Sequence, residues 1–197
     1  MAVLCALLGV TGCASDSNGS GQPTTTASAA TPTQGAVPAT TDARTGNLPP
    51  PTSLASNVPA ACGSGQVVVD AIIMSPGMGH RGVRLNFSIA RDSQSCTLNG
   101  YPGVDTGSGG PLLHAERTLR GYMGGLPSGD DTPPTVLLDN THGAQAIVEG
   151  VAFDSDGNQC STYTDLRVTA PNTTDTVTVS ARIDSCHLQI HPVTALQ

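Results

Sequence analysis

The sequence predicts an all-β antiparallel sandwich, and three observations carry that reading. Beyond Cys62 the chain falls into short apolar runs, the clearest of which alternate with a period of two. Clusters of Gly, Pro, Asn and Asp separate the runs, and no stretch shows a helical period. Cys62, Cys96, Cys160 and Cys186 are spread over the same segment, and an even number of cysteines in an exported chain reads as a set of disulfides, here two. Short strands of this kind with no helices between them form a two-sheet sandwich.

The expected elements follow in order. Residues 67–74 are an apolar run that fits a buried strand. Residues 81–91 place Val83, Leu85, Phe87 and Ile89 on one face and Arg84, Asn86, Ser88 and Ala90 on the other, as a half-buried strand does. Residues 135–138 read as a short strand and 143–153 as a longer one, with Glu149-Gly150 as a bulge. Leu166 and Val168 point inward from another strand, and 176–183 alternates with Val177, Val179, Ala181 and Ile183 inward. The last strand, 186–192, turns Cys186, Leu188 and Ile190 one way and His187, Gln189 and His191 the other. Residues 103–134 are the exception, a Gly-rich excursion with little periodicity. They form either strand edges with large loops or a mobile flap, and loops this long usually serve function or stay disordered.

Residues 1–12 read as a secretory signal, since an apolar run this short cannot span a membrane. Its end, Val10-Thr11-Gly12-Cys13, resembles a bacterial lipobox. The resemblance implies a lipid on the Cys13 sulfur and an acylated new amino terminus. No basic residue precedes Arg44, so a translation start further upstream is expected to supply the missing basic region. Residues 13–60 are Thr, Ser, Ala, Pro and Gly with few large apolar side chains, and read as a disordered tether spanning roughly 35–40 Å. Thr24-Thr25-Thr26 and Thr31-Pro32-Thr33 fit either O-glycosylation sites or an unmodified spacer. The folded domain is expected over 61–194.

Composition narrows the function. All 8 basic residues are arginines, none clustered, and the net charge is −7, so the footprint of a nucleic-acid binder is absent. Charge-driven binding to anionic lipid is excluded on the same ground. The Arg, Ala, Gly and Pro bias points to a high-GC genome such as an actinobacterial one. There is no Trp and there are only 3 Tyr and 2 Phe, so the core rests on aliphatic side chains, and the composition argues against a sugar-stacking face.

Cys96-Thr97-Leu98-Asn99-Gly100-Tyr101-Pro102-Gly103-Val104 resembles the signature of a domain of unknown function found in exported actinobacterial proteins and lipoproteins. Cys62, Cys160, Leu166-Arg167-Val168-Thr169-Ala170-Pro171 and the ending Cys186-His187-Leu188-Gln189-Ile190-His191-Pro192-Val193 match in order, whereas 107–134 matches poorly. The resemblance implies an immunoglobulin-like β-sandwich and brings no activity with it. Four cysteines allow three pairings. The cysteine order within the resemblance suggests Cys62 with Cys96 and Cys160 with Cys186.

Candidate chemistry is sparse. His187 and His191 stand four apart on one strand, about 13 Å, too far to share an ion, and read as surface histidines, as do His80, His114 and His142. Asp154-Ser155-Asp156-Gly157-Asn158 has the oxygen-rich look of a calcium loop, but it lacks the closing Glu and flanking helices and reads as a turn. No G-x-S-x-G elbow marks a hydrolase, and Gly107 to Gly110 lack the Lys of a phosphate loop. No cofactor or metal is expected. The candidate partner-binding residues lie in the excursion: Arg117, Arg120, Tyr122, Met123 and Leu126, with Asp130 and Asp131 beside them, since Tyr and Arg are favoured at interfaces. The expected protein is a non-enzymatic binding module of the cell envelope. It is held to the outer face of the cytoplasmic membrane by the lipid on Cys13 and meets another envelope protein or component. The alternatives are an envelope hydrolase or metal-dependent enzyme, favoured by two histidines and a carboxylate converging in a pocket, and a purely structural envelope component.

Overall fold

The computed structural model describes residues 58–197. The expected signal, Cys13 and nearly all of the expected tether lie outside the described residues. Within them the chain forms strands β1 (Val67–Ile73), β2 (His80–Ile89), β3 (Cys96–Asn99), β4 (Gly103–Thr106), β5 (Glu116–Arg117), β6 (Thr135–Leu138), β7 (Ala144–Val151), β8 (Thr162–Thr169), β9 (Thr176–Asp184), β10 (Leu188–Ile190) and β11 (Thr194–Ala195). No helix occurs among the described residues. One sheet has the order β1-β2-β7-β10-β5, with β11 also on β7; a second is β4-β8-β9, and β3 pairs with β6. The all-β sandwich expected from the alternating runs is therefore present. Every strand pair is antiparallel except the short parallel pairing of β10 with β5.

The core follows from the alternation. Val83, Leu85 and Phe87 of β2 and Ala144, Ala146 and Val148 of β7 face Leu98, Leu138, Tyr163, Leu166, Val168 and Ile183. Tyr163 is the one buried tyrosine, and its hydroxyl donates to the Pro111 carbonyl at 2.7 Å. Without that acceptor the hydroxyl would be buried unpaired. The disulfides are Cys62–Cys96 and Cys160–Cys186.

Several expectations need correction. β1 is an edge strand rather than a buried one: its only ladder partner is β2, and Val68, Ile72 and Ile73 are exposed. Val177 near the start of β9 is also partly exposed. The ladder through Glu149 and Gly150 is unbroken on both sides, and the irregularity lies instead between Tyr163 and Asp165 of β8. The last run is not one alternating strand. β2 occupies one edge of β7, and β10 and β11 share the other, separated by residues 191–193. In that gap His191 N–H still donates to the Ile147 carbonyl, whereas Val193 N–H turns away to Gly100. His191 thus escapes the period of two and is fully buried, while Cys186, expected inward, is exposed.

The remaining corrections concern the outer face of β2 and β7. Gly82, Arg84 and Asn86 lie opposite Glu149, Ile147 and Gln145 in register. A free sheet face would leave these side chains in water. Here residues 121–127 of the excursion lie over them, with Met123 above Gly82 and Gly124 against Ile147. A Cβ on Gly82 would come within 2.9 Å of Met123 Cε and 3.0 Å of Met74 Sδ, which places both thioethers directly above the sheet.

Candidate functional site

The excursion consists of strand edges joined by large loops, the first of the two expectations: β4 lies on β8 and β5 on β10, and within the loop that follows β5 residues 119–126 form a hairpin. Leu126 N–H donates to Leu119 and Gly121 N–H to Gly124, leaving Tyr122 and Met123 as a two-residue tip. Gly125 has φ +107°, and a Cβ there would collide with the Arg120 Cα and the Leu119 carbonyl, so the return strand requires glycine. Arg120 secures the base, donating to the carbonyls of Leu126, Pro127 and Asp130 and to the Asp131 carboxylate.

The tip docks on Glu149, which is 3% exposed despite its charge. Tyr122 N–H and Met123 N–H donate to the carboxylate at 3.3 and 3.0 Å. His80 Nδ1 donates to Oε1 at 2.6 Å, and His191 Nε2 lies 3.2 Å from Oε2. Tyr122 stacks on His80 with ring centroids 4.5 Å apart. On its far side His191 Nδ1 sits 3.1 Å from both the hydroxyl and the carbonyl of Thr118. A neutral ring with its proton on Nε2 accepts from the hydroxyl, and a protonated ring donates to the carbonyl. Both states are satisfied. Burial pushes the Glu149 carboxyl up, but the Met123 N–H and the two imidazoles pull harder in the other direction. It stays below the ordinary carboxylate value and is ionised.

Gly121 is what lets the tip come this close. A Cβ there would run into Glu149 Oε2 and lie 2.7 Å from His191 Cε1. Gly121→Ala is expected to cost about 1–3 kcal/mol by overpacking. It should also speed amide exchange at Met123 relative to the β2 core. Exchange at Met123 no faster than in the parent chain would show that the docking does not depend on this glycine.

Beside the cluster lies a cavity of about 370 Å³, floored by Arg84, Gln145 and Ile147, walled by Met123 and Met74, and touching His191. A second hollow, about 550 Å³, runs between β6 and the C-terminal residues. It includes His142, which is already paired with Asp139 at 2.9 Å.

The structure separates the sequence-predicted residues. Met123 walls the cavity and Tyr122 stands exposed at the hairpin tip. Arg120 and Leu126 hold the hairpin's shape; Leu126 is buried and offers no contact surface, a correction to its reading as a binding residue. Arg117 lies on β5 with its guanidinium 6.0 Å from the centre of the Tyr101 ring, and Asp130 and Asp131 serve Arg120. His187 is a surface histidine facing Glu116 at 3.0 Å, and His114 and His142 are likewise exposed and face Asp105 and Asp139. Asp154 caps its own turn, accepting from the N–H groups of Asp156 and Asn158.

Sequence reasoning missed Glu149, His80, His191, Thr118, Gly121 and Arg84. The signal for Glu149 was a lone carboxylate at the end of the apolar stretch Ala146-Ile147-Val148. A carboxylate in a buried strand requires donors from elsewhere in the fold.

No curated protein and no solved structure matches the chain. Residues 62–195 match the family model described as a domain of unknown function, DUF4232. The match takes in both disulfides, the hairpin, Arg84 and the Glu149 cluster. The family has no assigned activity in its description, so the chemistry must come from the residues above. The chain belongs to the DUF4232 family.

Proposed function

We propose that this chain is a lipid-anchored, non-enzymatic binding module of an actinobacterial cell envelope, with its site in the cavity walled by the hairpin. The cavity is the observation that carries this reading. An ionised, buried Glu149 is used to hold a hairpin tip above a sheet face, and the result is a hollow of about 370 Å³, within the size range of small-ligand sites. The envelope setting is supported by the two disulfides, which belong to an oxidising compartment. It is supported further by Val10-Thr11-Gly12-Cys13 and by the Cys96 to Val104 signature.

Two measurements test the reading. Benzoylphenylalanine placed at Pro127, an exposed residue on the cavity rim, is expected to give a discrete photo-adduct in intact cells. Met123→Arg, which fills the cavity, should abolish that adduct. Persistence of the same adduct in the filled variant would sink the site. Mass spectrometry of the mature chain should find Cys13 at the amino terminus with its lipid; a free Cys13 thiol would remove the anchor.

Two observations favour a second reading. His80 and His191 converge on the Glu149 carboxylate beside the cavity, the arrangement expected of the enzyme alternative. Thr118 Oγ1, His191 and Glu149 stand in line at 3.1 and 3.2 Å, the connectivity of a hydroxyl nucleophile, a base and an orienting carboxylate. Against it, His191 is fully buried, and both Glu149 oxygens already hold two donors each. A fluorophosphonate probe is expected to leave the protein unlabelled. An adduct on Thr118 that disappears in Thr118→Val would establish the hydrolase reading instead.

A further inference from the structure

Arg84 is the one arginine that lines the cavity, and among the described residues the one whose guanidinium carries a buried nitrogen without a partner. Arg81, Arg120 and Arg167 each reach a carboxylate, at 3.0, 2.9 and 3.6 Å. Arg84 makes no ion pair and no hydrogen bond among the described residues, and its Nε is buried without an acceptor. A guanidinium N–H removed from water and left unpaired is costly, and native structures rarely keep one without a use. Its position explains how it arises. Arg84 faces Ile147 across the β2–β7 ladder, and Gln145 is the next outward residue of β7. Two residues along β2, Asn86 Oδ1 is a second buried polar atom without a partner. The walls above are apolar: Met74, Met123, Pro127 and Pro192. Glu149 lies on the same face but is committed to His80, His191 and the hairpin tip.

We propose that this cavity binds a small amphipathic carboxylate, its carboxylate taken by Arg84 and its apolar body lying between Met74 and Met123. The inference rests on the reading of the cavity as the binding site. A planar guanidinium matches a carboxylate with two parallel N–H donors, and Nε is one of the pair. The protein carries a net charge of −7, so its long-range field repels anions. Retention must come from the local bidentate pair together with burial of the apolar body. Inorganic phosphate, which has no apolar body, satisfies only half of the site.

The test uses the purified full chain, labelled with ¹⁵N and titrated with octanoate, octanamide and inorganic phosphate. Octanoate is expected to shift the Arg84 Nε–H resonance and the Met123 and Gly124 amides together. Octanamide and phosphate should each bind about tenfold more weakly or worse. Arg84→Met, which keeps the stem but removes the charge, should lose about tenfold or more in octanoate affinity, and Arg84→Lys should lose less. Equal binding of octanoate and octanamide, or unchanged octanoate binding by a folded Arg84→Met, overturns the carboxylate assignment and leaves the cavity reading standing. Phosphate binding as tight as octanoate removes the apolar half of the proposal. If no probe moves the cavity resonances, the proposal is wrong, and the photo-adduct at Pro127 decides the broader reading separately.

Discussion

Glu149→Ala is expected to lower the unfolding free energy by about 3–5 kcal/mol, the cost of breaking a buried charge pair by removing one partner. The loss has several sources. His80 and His191 lose the carboxylate they face, and the Tyr122 and Met123 N–H groups lose their acceptor. A hole also opens beneath the hairpin tip. Glu149→Gln should fall between the two, because an amide accepts through one atom only and its NH₂ faces donors. The control is Glu116→Gln at the exposed pair with His187, where a change within about 0.5 kcal/mol is expected. The same group sets an acid limit. The folded-state pKa of Glu149 lies below its ordinary value of 4.5, so the folded state binds its proton less readily than the unfolded chain does. Its contribution is therefore full above the ordinary value and is lost as pH falls through the depressed one. Urea unfolding between about pH 3 and pH 6 should show this slope in the parent chain and a shallower one in Glu149→Gln. Identical slopes would show that Glu149 is not the group responsible.

Loss of either disulfide should be comparably severe. The bridges close sequence separations of 34 and 26 residues. The chain-entropy model assigns each roughly 3.5–4 kcal/mol, within a measured range of about 2–5 for native bridges. Typical net stabilities are only about 5–15 kcal/mol. Cys62–Cys96 carries a particular burden. It ties the incoming chain to β3, where Cys62 N–H donates to the Thr97 carbonyl at 2.9 Å, and β3 belongs to a sheet of just β3 and β6. A two-stranded sheet is marginal alone. Cys62→Ser/Cys96→Ser is expected to lose protection first in β3 and β6, ahead of β2 and β7. Hydrogen exchange read strand by strand would check this, and uniform loss over all strands would contradict it.

How much of this could be read from the residues differs by element. Residues 81–91 and 176–183 were legible because their alternation reports a sheet with one buried face, a local property of side chains two apart. β4, β5 and β11 are too short to show any period, and they exist because longer strands present free ladder positions to them. β1 read as buried because apolarity does not reveal whether a strand lies at an edge. Arg84 and Asn86 read as solvated because the alternation says which face is outward from the core. It does not say whether another segment covers that face.

The sequence by itself determined the class: a disulfide-stapled, all-β domain with an aliphatic core, set apart from a Thr/Ser/Pro-rich amino-terminal segment by composition. Those are sums over local chemistry and survive without knowledge of distant contacts. Only the tertiary structure decided the site. His80, Thr118, the 121–123 tip, Glu149 and His191 lie up to 111 positions apart in the chain and meet because β7 carries β2 on one edge and β10 on the other, with the hairpin laid over both. A carboxylate in an apolar run is a cost until its donors are in place. Those donors come from separate segments, so the residue that organises the site looked in the sequence like a break in the strand.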